Sequence, residues 1–358
     1  MVPNYLILQA LRDPTSCRQF DMAAWDLLIR QSRAANVLSS LRVLLDQHHL
    51  LQSVPPQARE HLEWIHISSQ RHRLAVQFEV SHLRKALSST NVPLILLKGA
   101  AYVMANLPAS QGRLFSDIDL MVPKERLGEI EAVMMLHGWV TMHVDDYDQR
   151  YYRTWMHELP PMQHIHRRTV IDVHHAILPE TASIHPSPTK LLQASQPLNG
   201  CDDVRVFSPE DMVLHSATHL FYGGEFDHGL RDLLDLHHLL IHFGEKTTFW
   251  TTLLARGKEL DLHRPLFYAL RYTTHILHTP IPTEVITASE EGRPNTLLLM
   301  LMDALFHRAL MAMHESCSDL LTRLARHALY IRGNWLRMPP ILLTRHLFHK
   351  AFFSHKDH

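Results

Sequence analysis

LILLKGAAYVMANLPASQGRLFSDIDLMV, residues 94–122, decides how the rest of the chain is read. It parses as a strand, a glycine turn, a short helix, a loop, and a second strand carrying Asp117 and Asp119. Successive strand side chains point to opposite faces. Asp117 and Asp119 therefore share one face, while Ile118 and Leu120 point into a core. Two carboxylates this close repel unless a cation lies between them. Hard oxygen donors suit Mg²⁺, which takes one or two carboxylates and keeps room for water and phosphate oxygens. The pair is thus either a metal-phosphate site or two strand-end aspartates in a solvated turn.

Composition sets the bounds. At 358 residues, 46% of them apolar, the chain is long enough for two or three packed units. With 35 Lys and Arg against 36 Asp and Glu, the formal charge is −1. That balance gives no global electrostatic case for a nucleic-acid or membrane-surface protein. It leaves a local basic groove open. Cys17, Cys201 and Cys317 form no metal or redox spacing, and such a sparse, odd set fits a reducing compartment. The N-terminus lacks the pattern of a secretion signal, and no apolar run is long enough to span a bilayer. The expectation is a cytoplasmic protein. The 30 histidines are scattered, so net charge should rise steeply below about pH 6.

Outward from the opening stretch, residues from about 4 to 88 read as helical, with apolar positions three and four apart and a break at Pro55-Pro56. Strands are expected at Val92–Leu97, Phe115–Val122, Trp139–Val144, Arg150–Trp155, Met162–His166 and Thr169–His174. A helix after Pro123 should stop at Gly138, and Arg167-Arg168 should turn the chain. Pro179–Pro197 reads as a connecting segment with one helical turn. From Ser208, an N-cap followed by Pro209, helices are expected near 209–222, 229–243, 247–260, 262–277, 294–314 and 316–332. Pro339-Pro340 starts a last short segment with a polar end. The class is α+β, a mixed sheet with helices against it. The divisions are 1–90 (helical), 91–200 (core) and 201–358 (helical).

Four elements carry chemistry. Leu97-Lys98-Gly99 ends a strand and feeds a helix, so backbone N–H groups can approach a phosphate, or it is only a turn. Arg113, with Ser116 just before Asp117, can fork onto phosphate oxygens or pair with a carboxylate at the surface. The Asp117/Asp119 pair is the third. The fourth is Val170-Ile171-Asp172-Val173-His174, where a carboxylate interrupts an apolar strand. A charge there is costly unless paired or metal-bound; alternatively Asp172 faces water on an edge strand.

Together these residues resemble the nucleotidyltransferase superfamily with the DNA-polymerase-beta-like fold. They resemble more closely an uncharacterised bacterial branch with an L-K-G strand end, R-x-x-S-D-I-D-L-x-V, a helix ending in G-[WYF], and an I-D-x-H strand. This sequence carries Leu97-Lys98-Gly99, Arg113 to Val122, Gly138-Trp139 and Ile171-Asp172-Val173-His174. The likeness covers about 92–175 and extends loosely to Arg231-Asp232-Leu233-Leu234-Asp235-Leu236. In the wider superfamily the turn is Gly-Ser; here Ala100 follows Gly99.

The resemblance implies a polymerase-beta-like core and transfer of a nucleoside monophosphate from an NTP, most simply ATP, to a hydroxyl or similar acceptor. That acceptor would be a small molecule, peptide or protein, and pyrophosphate is released. It implies Mg²⁺ or Mn²⁺ held by Asp117, Asp119 and Asp172, with Asp172 also deprotonating the acceptor. Lys98, Gly99, Arg113 and Ser116 would bind the nucleotide. Arg231, Asp232, Asp235 and His174 are candidate contacts to acceptor or nucleobase, although Arg231 and Asp235, four apart, can equally form an intrahelical pair.

Two other readings stay open. A catalytically silent protein of this fold would bind a partner, and the Gly-Ala turn points that way. A nucleic-acid-modifying enzyme fits poorly with the neutral charge and the lack of a basic, aromatic-interleaved segment. His215 and His219 have zinc-helix spacing, but Ser216 replaces the Glu of H-E-x-x-H. These histidines, with His237-His238, read better as bundle or inter-domain residues.

Overall fold

The computed structural model describes residues 5–142, 146–198 and 201–339. At its centre is β1 (Leu94–Leu96), fully buried and paired on both edges. Its neighbours are β2 (Asp117–Met121), antiparallel, and β7 (Cys201–Val206), parallel. β2 runs parallel to β5 (Val170–His174), and β4 (Met162–His164) joins β5 to β3 (Trp139–Thr141) by antiparallel pairing. β6 (Gln196–Leu198) pairs antiparallel with β7, completing a mixed sheet in the order β3-β4-β5-β2-β1-β7-β6. Ile118 and Leu120 are buried on the face opposite the aspartates, which anchors β2.

Before the sheet come α1 (Leu6–Arg12), α2 (Met22–Ala34), α3 (Leu38–Gln47) and α4 (Pro56–Leu87). The long α4 packs on β1, on α5 (Lys98–Met104) and on α6 (Leu127–Leu136). Its buried Glu79 takes a bidentate pair from Arg167 at 2.6 and 2.8 Å and a hydroxyl bond from Thr169. Arg167 also lies over the Trp139 ring. This locks the β4–β5 turn, where Arg168 takes a positive φ of 60°.

After the sheet, α9 (Pro209–Gly223) starts as expected, with Ser208 Oγ accepting from Asp211 N. It packs with α10 (Gly229–Gly244), α11 (Thr247–Glu259) and α12 (His263–Leu277), and α10 meets the loop at Pro108–Ser110. Fully buried Asp211 receives two bonds from Arg256, tying α9 to α11. α13 (Thr283–Ser289), α14 (Thr296–Ala309) and α15 (Thr322–Arg337) follow. N- and C-terminal helices touch directly: Arg12 donates to Ile276 O and Gln31 to Ser316 Oγ. No helix among the described residues is long and apolar enough to cross a membrane.

Several expectations change. Arg150–Trp155 is not a strand but the end of α7 (Asp146–Trp155). Its β-favouring aromatics yield to helical bonding, with Arg153 contacting Gln149 one turn back and pairing with Glu131 of α6. Pro179–Pro197 holds a two-turn α8 (Pro188–Ala194), capped by Ser187, and the start of β6. β7 is not among the expected strands, because its sequence, Cys-Asp-Asp-Val-Arg-Val, is half charged, with Val204 and Val206 as its buried apolar residues. The 294–314 helix stops at Ala309, and the last described helix starts at Thr322 rather than 316. The strand end at Val144 and the segment from Pro340 onward lie outside the described residues.

Candidate active site

Parallel pairing of β2 and β5 sets Asp119 opposite Asp172 and Met121 opposite His174. Register alone therefore places the carboxylates of two distant stretches side by side on one face. Asp119 is buried, at 7% exposure. Its Oδ1 accepts from Lys98 Nζ and from His174 Nε2, both at 3.0 Å. Burial alone would raise its pKa, but Lys98 and His174 reverse that and hold it well below the carboxylate range. The same contact keeps Lys98 charged against its burial.

Asp172 has the opposite environment. Its Oδ1 is buried without a hydrogen-bond partner. Burial first, then repulsion from Asp119 and Glu158, pushes its carboxyl up to about 7. Asp117, at the mouth of the site, accepts from Ser116 Oγ at 2.9 Å. A buried carboxylate oxygen without a donor, among other carboxylates, fits a divalent cation. Among the described residues, the trio whose ligand atoms all lie within 4.8 Å of one another is His157, Glu158 and His174.

Beside Asp117 and Asp119 a cleft encloses about 250 Å³, and Asp172 is not in its lining. Lys98, Gly99, Arg113, Ser116, Asp117 and Asp119 line one wall, and Arg231, Asp232 and Asp235 of α10 line the other. At the turn, Lys98 takes a positive φ of 43°. Gly99 is needed because a Cβ there would lie 2.2 Å from Arg113 Nη1 and 2.8 Å from Phe115 Cδ1. Ala100 is buried and offers no hydroxyl to the cleft.

Arg113 is no surface arginine. It donates from Nε to Asp235 Oδ2 at 2.8 Å, with both side chains about 10% exposed. Burial works against the guanidinium charge and Asp235 more than offsets it; burial pushes the Asp235 carboxyl up to about 6. The Arg231–Asp235 intrahelical pair does not form, because Arg231 binds the adjacent Asp232 at 2.7 Å instead. His174 is absent from the cleft lining and is buried against Asp119.

Sequence reasoning missed Tyr102, Ser216, Glu225 and His228 in the lining, along with Glu158 beneath it. His219 also lines the cleft, and Lys98 followed by burial drives its pKa down to about 3, so the ring stays neutral. Its partner in the suspected zinc spacing, His215, is buried against Phe207. A roomier cavity of about 450 Å³ beside α4 and α9 is mostly apolar and has no acidic or imidazole side chain in its lining.

The chain is similar to the solution structure of the antibiotic-resistance factor ANT(2'')-Ia, at 18% identity and a TM-score of 0.35, over 57% of this chain and 98% of that one. No curated protein matches it. A family model described as "Uncharacterised nucleotidyltransferase" matches residues 21–278, which takes in α2 to α12 and the whole sheet. The chain belongs to that uncharacterised nucleotidyltransferase family.

Proposed function

We propose that the protein transfers a nucleoside monophosphate from an NTP, with ATP the first candidate, to a hydroxyl or similar acceptor on a small molecule, peptide or protein. The observation that carries this reading is the Asp119–Asp172 register pair with its unpartnered buried oxygen. In this reading Asp117, Asp119 and Asp172 hold Mg²⁺ or Mn²⁺. When bound, such a cation neutralises the triphosphate and stabilises the attacking and leaving oxygens.

The chain's own groups do the rest. Asp172 accepts the proton of the acceptor hydroxyl as general base. The freed oxygen bonds to the α-phosphorus as the bond to pyrophosphate breaks, and pyrophosphate leaves. Lys98 moves its ammonium from Asp119 to the phosphates as their negative charge enters. Gly99, Arg113 and Ser116 form the phosphate wall, with Arg113 aimed by Asp235. Arg231 and Asp232 face the nucleobase or acceptor. The core at 91–200 would supply the carboxylates, and the helices of 201–358 the opposite wall.

Two observations favour a second reading, a silent fold that binds a partner: Lys98 Nζ bonds Asp119 Oδ1, and Ala100 replaces the superfamily's serine. Incubation with each α-labelled NTP, Mg²⁺ and lysate of the native host separates the two. Label transfer by wild type that Asp117→Ala abolishes supports the enzyme. Equal labelling by both supports the silent protein.

A further inference from the structure

Behind the aspartates, residues 157–159 run antiparallel to the end of β5. Leu159 N bonds Val173 O at 2.9 Å, His175 N bonds His157 O at 2.8 Å, and Glu158 faces His174 across the bridge. This fixed backbone brings two imidazoles and a carboxylate together, with ligand atoms mutually within 4.8 Å. We propose that His157, Glu158 and His174 form a second cation site, taking a borderline divalent ion such as Zn²⁺ rather than Mg²⁺.

Three observations carry it. First, His174 bonds Asp119 Oδ1 through Nε2, so Nδ1 is the ring nitrogen left to face Glu158. That is the arrangement of a metal-ligating histidine, whose other nitrogen is held by a carboxylate. Glu158 Oε2 lies 3.2 Å from this Nδ1 but without hydrogen-bond alignment. Second, the Nδ1 atoms of both His157 and His174 are buried without hydrogen-bond partners, and the His174 side chain is 4% exposed. Third, the two rings have centroids 5.3 Å apart. Two imidazoles on one tetrahedral ion, with Zn–N bonds of about 2.0–2.1 Å, hold their centroids about 5 Å apart.

An N₂O donor set selects zinc, iron, copper or nickel over magnesium. A fourth position would be left to water. Because the ion binds the far nitrogen of His174, it fixes the tautomer that holds Asp119. The site therefore stiffens one carboxylate of the cleft without belonging to it.

The test uses the full chain, stripped with chelator and titrated with Zn²⁺ against a chromophoric competitor, without nucleotide. The background from surface histidines is measured with His137→Ala. One tight equivalent is expected, unchanged in His137→Ala and Asp117→Asn and weakened about tenfold or more in Glu158→Gln and His157→Ala. Far-UV circular dichroism checks each fold; if His157→Ala fails to fold, the near-isosteric Glu158→Gln decides. Equal affinity in Glu158→Gln and wild type overturns the proposal. So does loss of the tight equivalent in Asp117→Asn, which would assign the ion to the aspartates.

Discussion

Arg113, on the loop before β2, reaches across the cleft and donates from Nε to Asp235 on α10 at 2.8 Å. The pair joins the sheet to the C-terminal helices where both side chains leave water. Removing one partner of a buried pair strands the other charge, at a cost of about 3–5 kcal/mol. Arg113→Ala and Asp235→Ala should each lower stability by about that amount in urea denaturation. Arg113→Met with Asp235→Leu should cost less than the sum of the two, since no charge is left unpaired.

Gly99 tests the same contact from below. A Cβ there meets Arg113 Nη1 at 2.2 Å and must push the guanidinium off Asp235. Gly99→Ala should destabilise by about 1–3 kcal/mol through overpacking and weaken nucleotide binding. Gly128, in α6, has nothing within 4 Å of the added methyl. Gly128→Ala should be neutral or stabilising by up to about 1 kcal/mol. Thermal melts of the two variants together check the contrast.

Asp172 predicts an inverted pH dependence in the metal-free protein. Its folded pKa of about 7 lies above the unfolded value of about 3.9. The fold thus favours the neutral acid, and this contribution is complete below about pH 4 and lost as pH rises to 7. Asp172→Asn should gain on wild type by about 2 kcal/mol between pH 5.5 and pH 8 in paired urea titrations. A constant difference across that range would mean that Asp172 is ionised throughout. Added Mg²⁺ should stabilise wild type at pH 8 and leave Asp172→Asn unmoved.

Glu79 anchors the β4–β5 turn from α4, 2% exposed and bound by Arg167 and Thr169. Glu79→Ala should cost about 3–5 kcal/mol. Since Glu79 does not line the cleft, nucleotide affinity of the folded fraction should hold. Equilibrium denaturation alongside calorimetry separates the two effects.

The sheet's centre was legible because two local rules agree there. Alternation put Ile118 and Leu120 in the core, and the motif put Asp117 and Asp119 opposite them. What was hidden depended on distant partners. Arg153 reads as β until Glu131 of α6 is beside it, so α7 was mistaken for a strand. β7 is half charged, and it reads as a strand only once β1 pairs with it. Asp235 reads as a helix-face acid until Arg113 arrives from 122 residues away. Glu158 carries no motif at all, and only its bridge to His174 brings it to the site.

The central claim is that Asp117, Asp119 and Asp172 gather a divalent cation with a nucleotide. Isothermal titration calorimetry with a non-hydrolysable ATP analogue, with and without Mg²⁺, tests it most directly on wild type and Asp119→Asn. The account predicts Mg²⁺-dependent binding in wild type that Asp119→Asn loses. Identical heats from the two proteins in the presence of Mg²⁺ would contradict it.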